Sequence, residues 1–174
     1  ERLGLFLQQP PDHGRDFLPQ RVGLEGFERR QVEAVQQLQV HALLQQLDSA
    51  TNSAFIFNPR LDPMGFFRVL FEELDIGPPC ETKAEYLLAL NHYLIEKLAA
   101  NERVLLIVDE AQNLSAEMLE EIRLLSNLET PTSKLIQIML VGQPELKELV
   151  DKPELRQLRQ RIALRHHLRP FNEG

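Results

Sequence analysis

Residues 104–110 read Val-Leu-Leu-Ile-Val-Asp-Glu, and this is the sharpest local signal in the chain. Its apolar run is too short to span a membrane and too rich in β-branched residues for a good helix, so it predicts a central strand buried on both faces of a parallel sheet. The run delivers Asp109 and Glu110 to the carboxyl end of that strand. Open α/β sheets bind their ligands at this edge, so the sequence predicts an acidic ligand site there.

The sequence on both sides alternates between strand-like and helix-like segments. Further strands are predicted at Ala54–Phe57, Leu135–Val141 and near Ile162–Leu168. Helices are predicted over residues 29–47, 63–74, 82–98 and 115–127, with two short helices before the last strand. The helix predicted over residues 82–98 opens with Thr82-Lys83-Ala84-Glu85, which has the form of a capping box. Such alternation predicts parallel βαβ units with helices on both faces of the sheet.

Composition limits the class of protein. A chain of 174 residues with 43% apolar and 26% charged residues suits one globular domain with a real core. The formal net charge of -7 argues against non-specific nucleic-acid binding, which requires a surplus of lysine and arginine. The lone Cys80 excludes an internal disulfide and favours a reducing compartment. No apolar stretch approaches the roughly 20 residues of a membrane span, so we expect a soluble cytoplasmic protein.

The carboxylate pair has the pattern of a Walker B element. In P-loop ATPases the first carboxylate, here Asp109, holds Mg²⁺ through water, and the second, here Glu110, polarises the attacking water. The alternative is a surface Asp-Glu turn after an ordinary buried strand. These few residues alone do not decide between the two interpretations.

Longer stretches of the chain resemble a known family. They are Phe55 to Pro59 (FIFNP), Ala111 to Ser115 (AQNLS), Leu119 to Thr130 (LEEIRLLSNLET), Gln137 to Leu146 (QIMLVGQPEL), Pro153 to Ile162 (PELRQLRQRI) and His167 to Pro170 (HLRP). In this order, over roughly residues 41–171, they resemble the AAA+ ATPases of the general secretion pathway protein A family (GspA/ExeA-like). The resemblance implies an α/β fold of the P-loop NTPase type, with a three-layer arrangement around a parallel sheet, and ATP and Mg²⁺ as cofactors.

The resemblance also implies roles for three further residues. Gln143 corresponds to the sensor residue that contacts the γ-phosphate or its water, and Arg159 and Arg161 lie where an arginine finger would reach a neighbouring subunit's nucleotide. A planar, permanently charged guanidinium suits that task. The alternatives are a polar residue that ends a strand, for Gln143, and a solvated helix face, for the arginines.

A phosphate-binding loop with glycines and a lysine (Walker A) is missing from the printed sequence. The earliest lysine is Lys83, and no lysine follows a glycine. The resemblance places the loop just before the helix that ends near Leu47, yet residues 29–40 read RRQVEAVQQLQV. We therefore expect an incomplete fold that lacks the first strand, the P-loop and the helical lid. The expected organisation is an irregular segment at 1–40, a partial AAA+ core at 41–171 and a truncated end at 172–174.

Two explanations account for the missing loop. A reading-frame change upstream of about His41 would scramble the earlier residues and leave the later family pattern intact. Alternatively, the chain is a degenerate paralogue. The nucleotide sequence distinguishes them, because the first explanation requires an alternative frame that encodes a glycine-rich lysine loop.

Three functional hypotheses follow from the resemblance. The first is a bacterial ATPase that couples ATP hydrolysis to assembly of the type II secretion apparatus, catalytically impaired in this chain. The second is a non-hydrolysing remnant that packs on intact ATPase subunits. The third is a transposition-type ATPase acting on DNA, which the acidic charge disfavours. The expected partners are copies of itself or intact AAA+ subunits and an inner-membrane protein of the secretion pathway, with no nucleic acid and no membrane segment in this chain.

Overall fold

A single parallel sheet organises the part of the chain that the structure describes, a computed structural model giving residues 3–8, 50–57 and 61–168. The strands are β1 (Leu3–Gln8), β2 (Thr51–Ile56), β3 (Arg103–Val108), β4 (Gln137–Gly142) and β5 (Ile162–Leu168), in the spatial order β2-β3-β4-β1-β5. All paired strands run parallel. Their carboxyl ends therefore share one edge of the sheet, and the predicted α/β architecture is confirmed.

The first strand is present, which corrects the expectation that it would be absent. β1 lies between β4 and β5, with Leu7 opposite Gly142 and Gln8 opposite Leu168. The sequence did not reveal it because a six-residue run gives too little pattern to identify a strand by itself. Pairing on both sides supplies the hydrogen bonds that fix it. Residues 3–8 are therefore not the irregular segment expected at 1–40, while residues 9–40 lie outside the described residues.

Helices flank the strands in the predicted order. They are α1 (Pro63–Leu74), α2 (Lys83–Ala99), α3 (Ala116–Leu125), α4 (Glu145–Val150) and α5 (Arg156–Arg161), with short 3-10 turns at Ala111–Asn113 and Pro153–Leu155. None of these described helices is both long enough and apolar enough to cross a bilayer. The helix predicted over residues 29–47 lies outside the described residues.

Helix starts follow the sequence signals closely. The Thr82 side chain accepts a hydrogen bond from the Glu85 N–H, and the Glu85 carboxylate accepts one from the Thr82 N–H at 3.0 Å, so the predicted capping box is present. The backbone hydrogen bond from Thr82 is the main cause that lowers the pKa of the Glu85 carboxyl. Asp62 and Ser115 cap α1 and α3 through their side chains, which accept hydrogen bonds from the N–H groups of Gly65 and Met118.

Both faces of β3 are buried, as the continuous apolar run predicts. Leu106 and Val108 belong to the core formed with the helices, and Ile107, which points to the opposite face, is equally inaccessible. Aromatic packing closes the core between α1 and α2, where the Tyr86 ring lies edge-on to Phe71 at a centroid distance of 4.7 Å. This packing joins α1 to α2 within the core.

β2 lies at one edge of the sheet, and its outward backbone is engaged by a side chain. The Phe55 N–H donates to the Glu73 carboxylate of α1 at 3.1 Å. At the amino-terminal ends of β2 and β3, Glu102 accepts hydrogen bonds from Asn52 at 2.7 Å and from Lys97 at 2.9 Å. The bond from Lys97 is the main cause that lowers the pKa of the Glu102 carboxyl. These contacts hold β2 in register with β3.

Replacing Leu106 with alanine should destabilise the protein far more than the same change at Leu88. Leu106 is 0% exposed on β3, whereas Leu88 on α2 is 59% exposed. A buried leucine truncated to alanine costs about 2–5 kcal/mol through lost burial and a residual cavity. The exposed control should change the free energy of unfolding by about 0.5 kcal/mol or less. Urea unfolding followed by circular dichroism measures both, and equal effects would contradict this description of the core.

Candidate functional site

Asp109 ends β3 with a buried carboxylate. Its backbone N–H donates to the Ile56 carbonyl at 3.0 Å, which continues the β2–β3 ladder one residue further. The residue is only 5% exposed, and its Oδ1 accepts a hydrogen bond from the Glu110 N–H at 2.8 Å. Burial raises the pKa of this carboxyl above its ordinary value, and the Glu110 hydrogen bond offsets part of that rise.

Glu110 turns the chain away from the strand in a left-handed conformation, with φ 52° and ψ 34°. A residue with a side chain costs about 1–2 kcal/mol in this region, so the surrounding contacts must hold it there. Glu110 Oε2 accepts a hydrogen bond from Gln112 Nε2 at 2.7 Å and a longer one from Asn113 Nδ2 at 3.5 Å. The carboxylate is thereby directed by the 3-10 turn that follows it.

Gln143 lies at the same edge, directly after β4. Its side chain is exposed, and its backbone N–H donates to Gln112 Oε1 at 3.1 Å. The site thus brings together three of the residues singled out in the sequence, Asp109, Glu110 and Gln143. It adds Gln112, which the sequence reasoning passed over although it lies two residues after Glu110.

Gly142 is the second contributor that the sequence reasoning missed. A β-carbon built at this position would lie 2.5 Å from Gln112 Oε1 and 3.3 Å from the Ala111 backbone nitrogen. Of the described glycines, Gly77 has a positive φ and Gly142 does not. Close approach of the turn after β3, rather than backbone conformation, therefore explains why β4 ends in glycine.

Arg159 and Arg161 lie on α5, away from the carboxylates. Arg161 immediately precedes β5, which places it at the amino edge of the sheet, opposite the edge that carries Asp109. Arg159 lies 3.9 Å from Asp151, whose carboxylate also pairs with Arg165 at 3.3 Å. The two arginines are thus the residues singled out in the sequence that the structure does not join to the site at Asp109.

The described residues do not by themselves form a complete metal site. No group of three or more His, Cys, Asp or Glu side chains that could hold a metal occurs within 3–8, 50–57 and 61–168. Asp109 and Glu110 would therefore need phosphate oxygens to complete the coordination of Mg²⁺. The chain leaves β1 at the same edge, but the sequence that follows Gln8 reads QPPDHGRD. This segment contains two prolines, which lack an N–H donor, and no lysine.

Comparison with known proteins defines the class. A family model described as an AAA domain matches residues 27–150, and the chain therefore belongs to the AAA domain family. The match includes residues 29–40, where the sequence shows no lysine loop.

Within this class, the chain is 42% identical over 131 residues to General secretion pathway protein A of Aeromonas hydrophila. The alignment covers 75% of this chain and 24% of that protein. The chain thus spans less than a quarter of the length of this relative. The resemblance inferred from the sequence is confirmed.

Solved structures agree on the fold. The ORC2 protein of Aeropyrum pernix, in its ADPNP-ADP complexes, matches with a TM-score of 0.57 and 17% identity, covering 98% of this chain and 42% of that one. CDC6P from Pyrobaculum aerophilum matches with a TM-score of 0.54 and 17% identity, covering 94% and 38%. At this identity the likeness concerns the fold alone, and it confirms the AAA+ type of α/β fold.

Replacing Glu110 with glycine should leave a more stable protein than replacing it with alanine. Both changes remove the carboxylate, but glycine adopts the left-handed conformation of this residue without steric cost. The expected difference in the free energy of unfolding is about 1 kcal/mol in favour of glycine. Equal thermal and urea midpoints for the two variants would show that Glu110 is not strained.

The Asp109→Asn variant should gain stability relative to the parent protein as the pH rises. The raised pKa means that the folded state binds the proton more tightly than the unfolded state, so ionisation of Asp109 above its ordinary value of 3.8 weakens the fold. Asparagine keeps the acceptor oxygen and does not titrate in this range. Urea midpoints measured with EDTA at about pH 4 and pH 7 should diverge in favour of the variant at the higher pH. A constant difference would contradict the burial of this charge.

Proposed function

We propose that this chain is an AAA domain of the secretion ATPase type that retains the carboxylates of the site but cannot bind ATP tightly or hydrolyse it alone. The observation that carries the proposal is the contrast at one edge of the sheet. Asp109 and Glu110 are held in place at the end of β3, while the sequence that leaves β1 offers neither lysine nor a run of glycine amides.

The energetic consequence is large because phosphate binding depends on charge. A lysine and a cradle of amide donors each contribute hydrogen bonds to charged oxygens worth about 1.5–3 kcal/mol. Losing several of these contacts lowers the affinity by orders of magnitude, since each 1.4 kcal/mol is about a factor of ten. The remaining carboxylates carry the same sign of charge as the triphosphate and attract it only through a metal ion.

The retained residues keep a defined arrangement in the proposed site. Asp109 is the proposed ligand that would hold Mg²⁺ through water, and Glu110 is the proposed group that would polarise a water molecule. Gln143 is the proposed sensor, with its side chain exposed at the same edge. Mg²⁺ dehydrates reluctantly and usually shares its coordination with substrate phosphates, so this pair alone makes a weak site.

The secretion context is likewise part of the proposal. The relative named General secretion pathway protein A supports it, and so does the order of the shared stretches from Phe55 onward. We propose a bacterial protein, located in the cytoplasm, that associates with copies of itself or with intact AAA+ subunits and serves a secretion-pathway protein of the inner membrane. In such an assembly Arg159 or Arg161 would face a neighbour's nucleotide, which accounts for their separation from Asp109.

Calorimetric titration with ATP and Mg²⁺ tests the proposal directly. We expect a Kd weaker than about 1 mM, unchanged in Asp109→Asn and in the control Glu117→Gln, whose exposed carboxylate lies on α3. Micromolar binding that Asp109→Asn weakens and Glu117→Gln leaves intact would refute the proposed loss of ATP binding.

A further inference from the structure

The side chain of Gln112 joins two strand ends. Its Nε2 donates to Glu110 Oε2 at 2.7 Å, and its Oε1 accepts from the Gln143 backbone N–H at 3.1 Å. A carboxamide can make both bonds because it carries a donor and an acceptor on one planar group. The two partners also fix its orientation, since the oxygen must face the N–H and the nitrogen must face the carboxylate. Gln112 therefore connects the turn after β3 with the end of β4.

The end of β4 is shaped for this contact. Val108 pairs with Leu140, so β4 continues two residues beyond the last pair that it makes with β3. The 3-10 turn that begins at Ala111 lies beside this extension, and the missing side chain of Gly142 makes room for Gln112 Oε1. Two separate features, the paired hydrogen bonds and the space left by the glycine, thus converge on one carboxamide.

We infer that Gln112 is a positioning residue that couples the direction of the Glu110 carboxylate to the position of the β4 end at Gln143. A displacement of the Gln143 backbone breaks its hydrogen bond to Gln112 Oε1 and releases the carboxamide, which then no longer holds its 2.7 Å contact with the Glu110 carboxylate. Gln112 makes a shorter hydrogen bond to this carboxylate than Asn113 does, so its loss weakens the side-chain contacts of a residue held in a left-handed conformation. The inference concerns the site of the proposed function, but its test requires no nucleotide.

Amide hydrogen exchange at Gln143, measured by NMR, tests the coupling. Gln112→Met keeps the length and packing of the side chain but removes both hydrogen bonds, so we expect the protection factor of the Gln143 amide to fall about tenfold. The Leu140 amide within β4 serves as an internal reference and should not change. Protection of Gln143 equal to that of the parent protein would overturn the inference and leave Gln112 with a packing role only.

A double-mutant cycle tests whether the effect passes through Gln112. Glu110→Ala should reduce the protection of the Gln143 amide several-fold in the parent protein and have no effect in the Gln112→Met background. A Glu110→Ala effect that persists at full size in Gln112→Met would show that the coupling takes another route, and would overturn the inference. Gln143→Ala keeps the backbone N–H and should retain its protection factor, which serves as the matched control.

Gly142→Ala provides an independent perturbation that leaves every polar group of the bridge in place. The added methyl group would lie 2.5 Å from Gln112 Oε1, so we expect it to displace the carboxamide and reduce the protection of the Gln143 amide as Gln112→Met does. Undiminished protection in a folded Gly142→Ala protein would contradict the inference. The exchange measurements are made without nucleotide. A finding of tight ATP binding would therefore overturn the proposed function but leave the inference about Gln112 unchanged.

Discussion

The end of β3 joins a fully buried, fully paired strand to a buried carboxylate, and the other residues of the site are arranged around it. The strand is buried on both faces and paired with β2 and β4, so it stays extended through the core as far as its last paired residue. Its next residue, Asp109, carries a carboxylate that loses hydration at 5% exposure and keeps one compensating bond from the Glu110 N–H. The same bond helps to form the turn after β3, in which Glu110 has a left-handed conformation. This turn places Gln112 beside the end of β4.

Features that depend on neighbouring residues in the sequence were predictable. The helix starts at Asp62, Thr82 and Ser115 have local capping signals, and the apolar run of β3 is long enough to identify a buried strand. Features that depend on the approach of distant segments were not predictable. The strand predicted from Leu135 begins instead at Gln137, because the Leu135 N–H bonds the Leu128 carbonyl in the preceding connection. The Gln112–Gly142 contact likewise arises only after β3 and β4 have paired.

The pairing of β1 shows that formation of the sheet and binding of a nucleotide depend on different residues. Its backbone pairs with β4 on one side and β5 on the other, and this pairing does not depend on the residues that follow Gln8. A chain can therefore keep the five-stranded sheet whatever residues follow β1. Family membership and the AAA+ type of fold are consequently compatible with the proposed loss of ATP binding.

The contact between Glu73 and the Phe55 N–H bears on how this domain meets other chains. An edge strand with free amides invites a strand from another molecule, which is a common route to aggregation. Here the Phe55 N–H already donates to the Glu73 carboxylate, whose negative charge repels the carbonyl oxygens of an incoming strand. Growth of the sheet by addition of a strand to β2 is therefore opposed at Phe55, so association of such domains is not expected to begin at this amide.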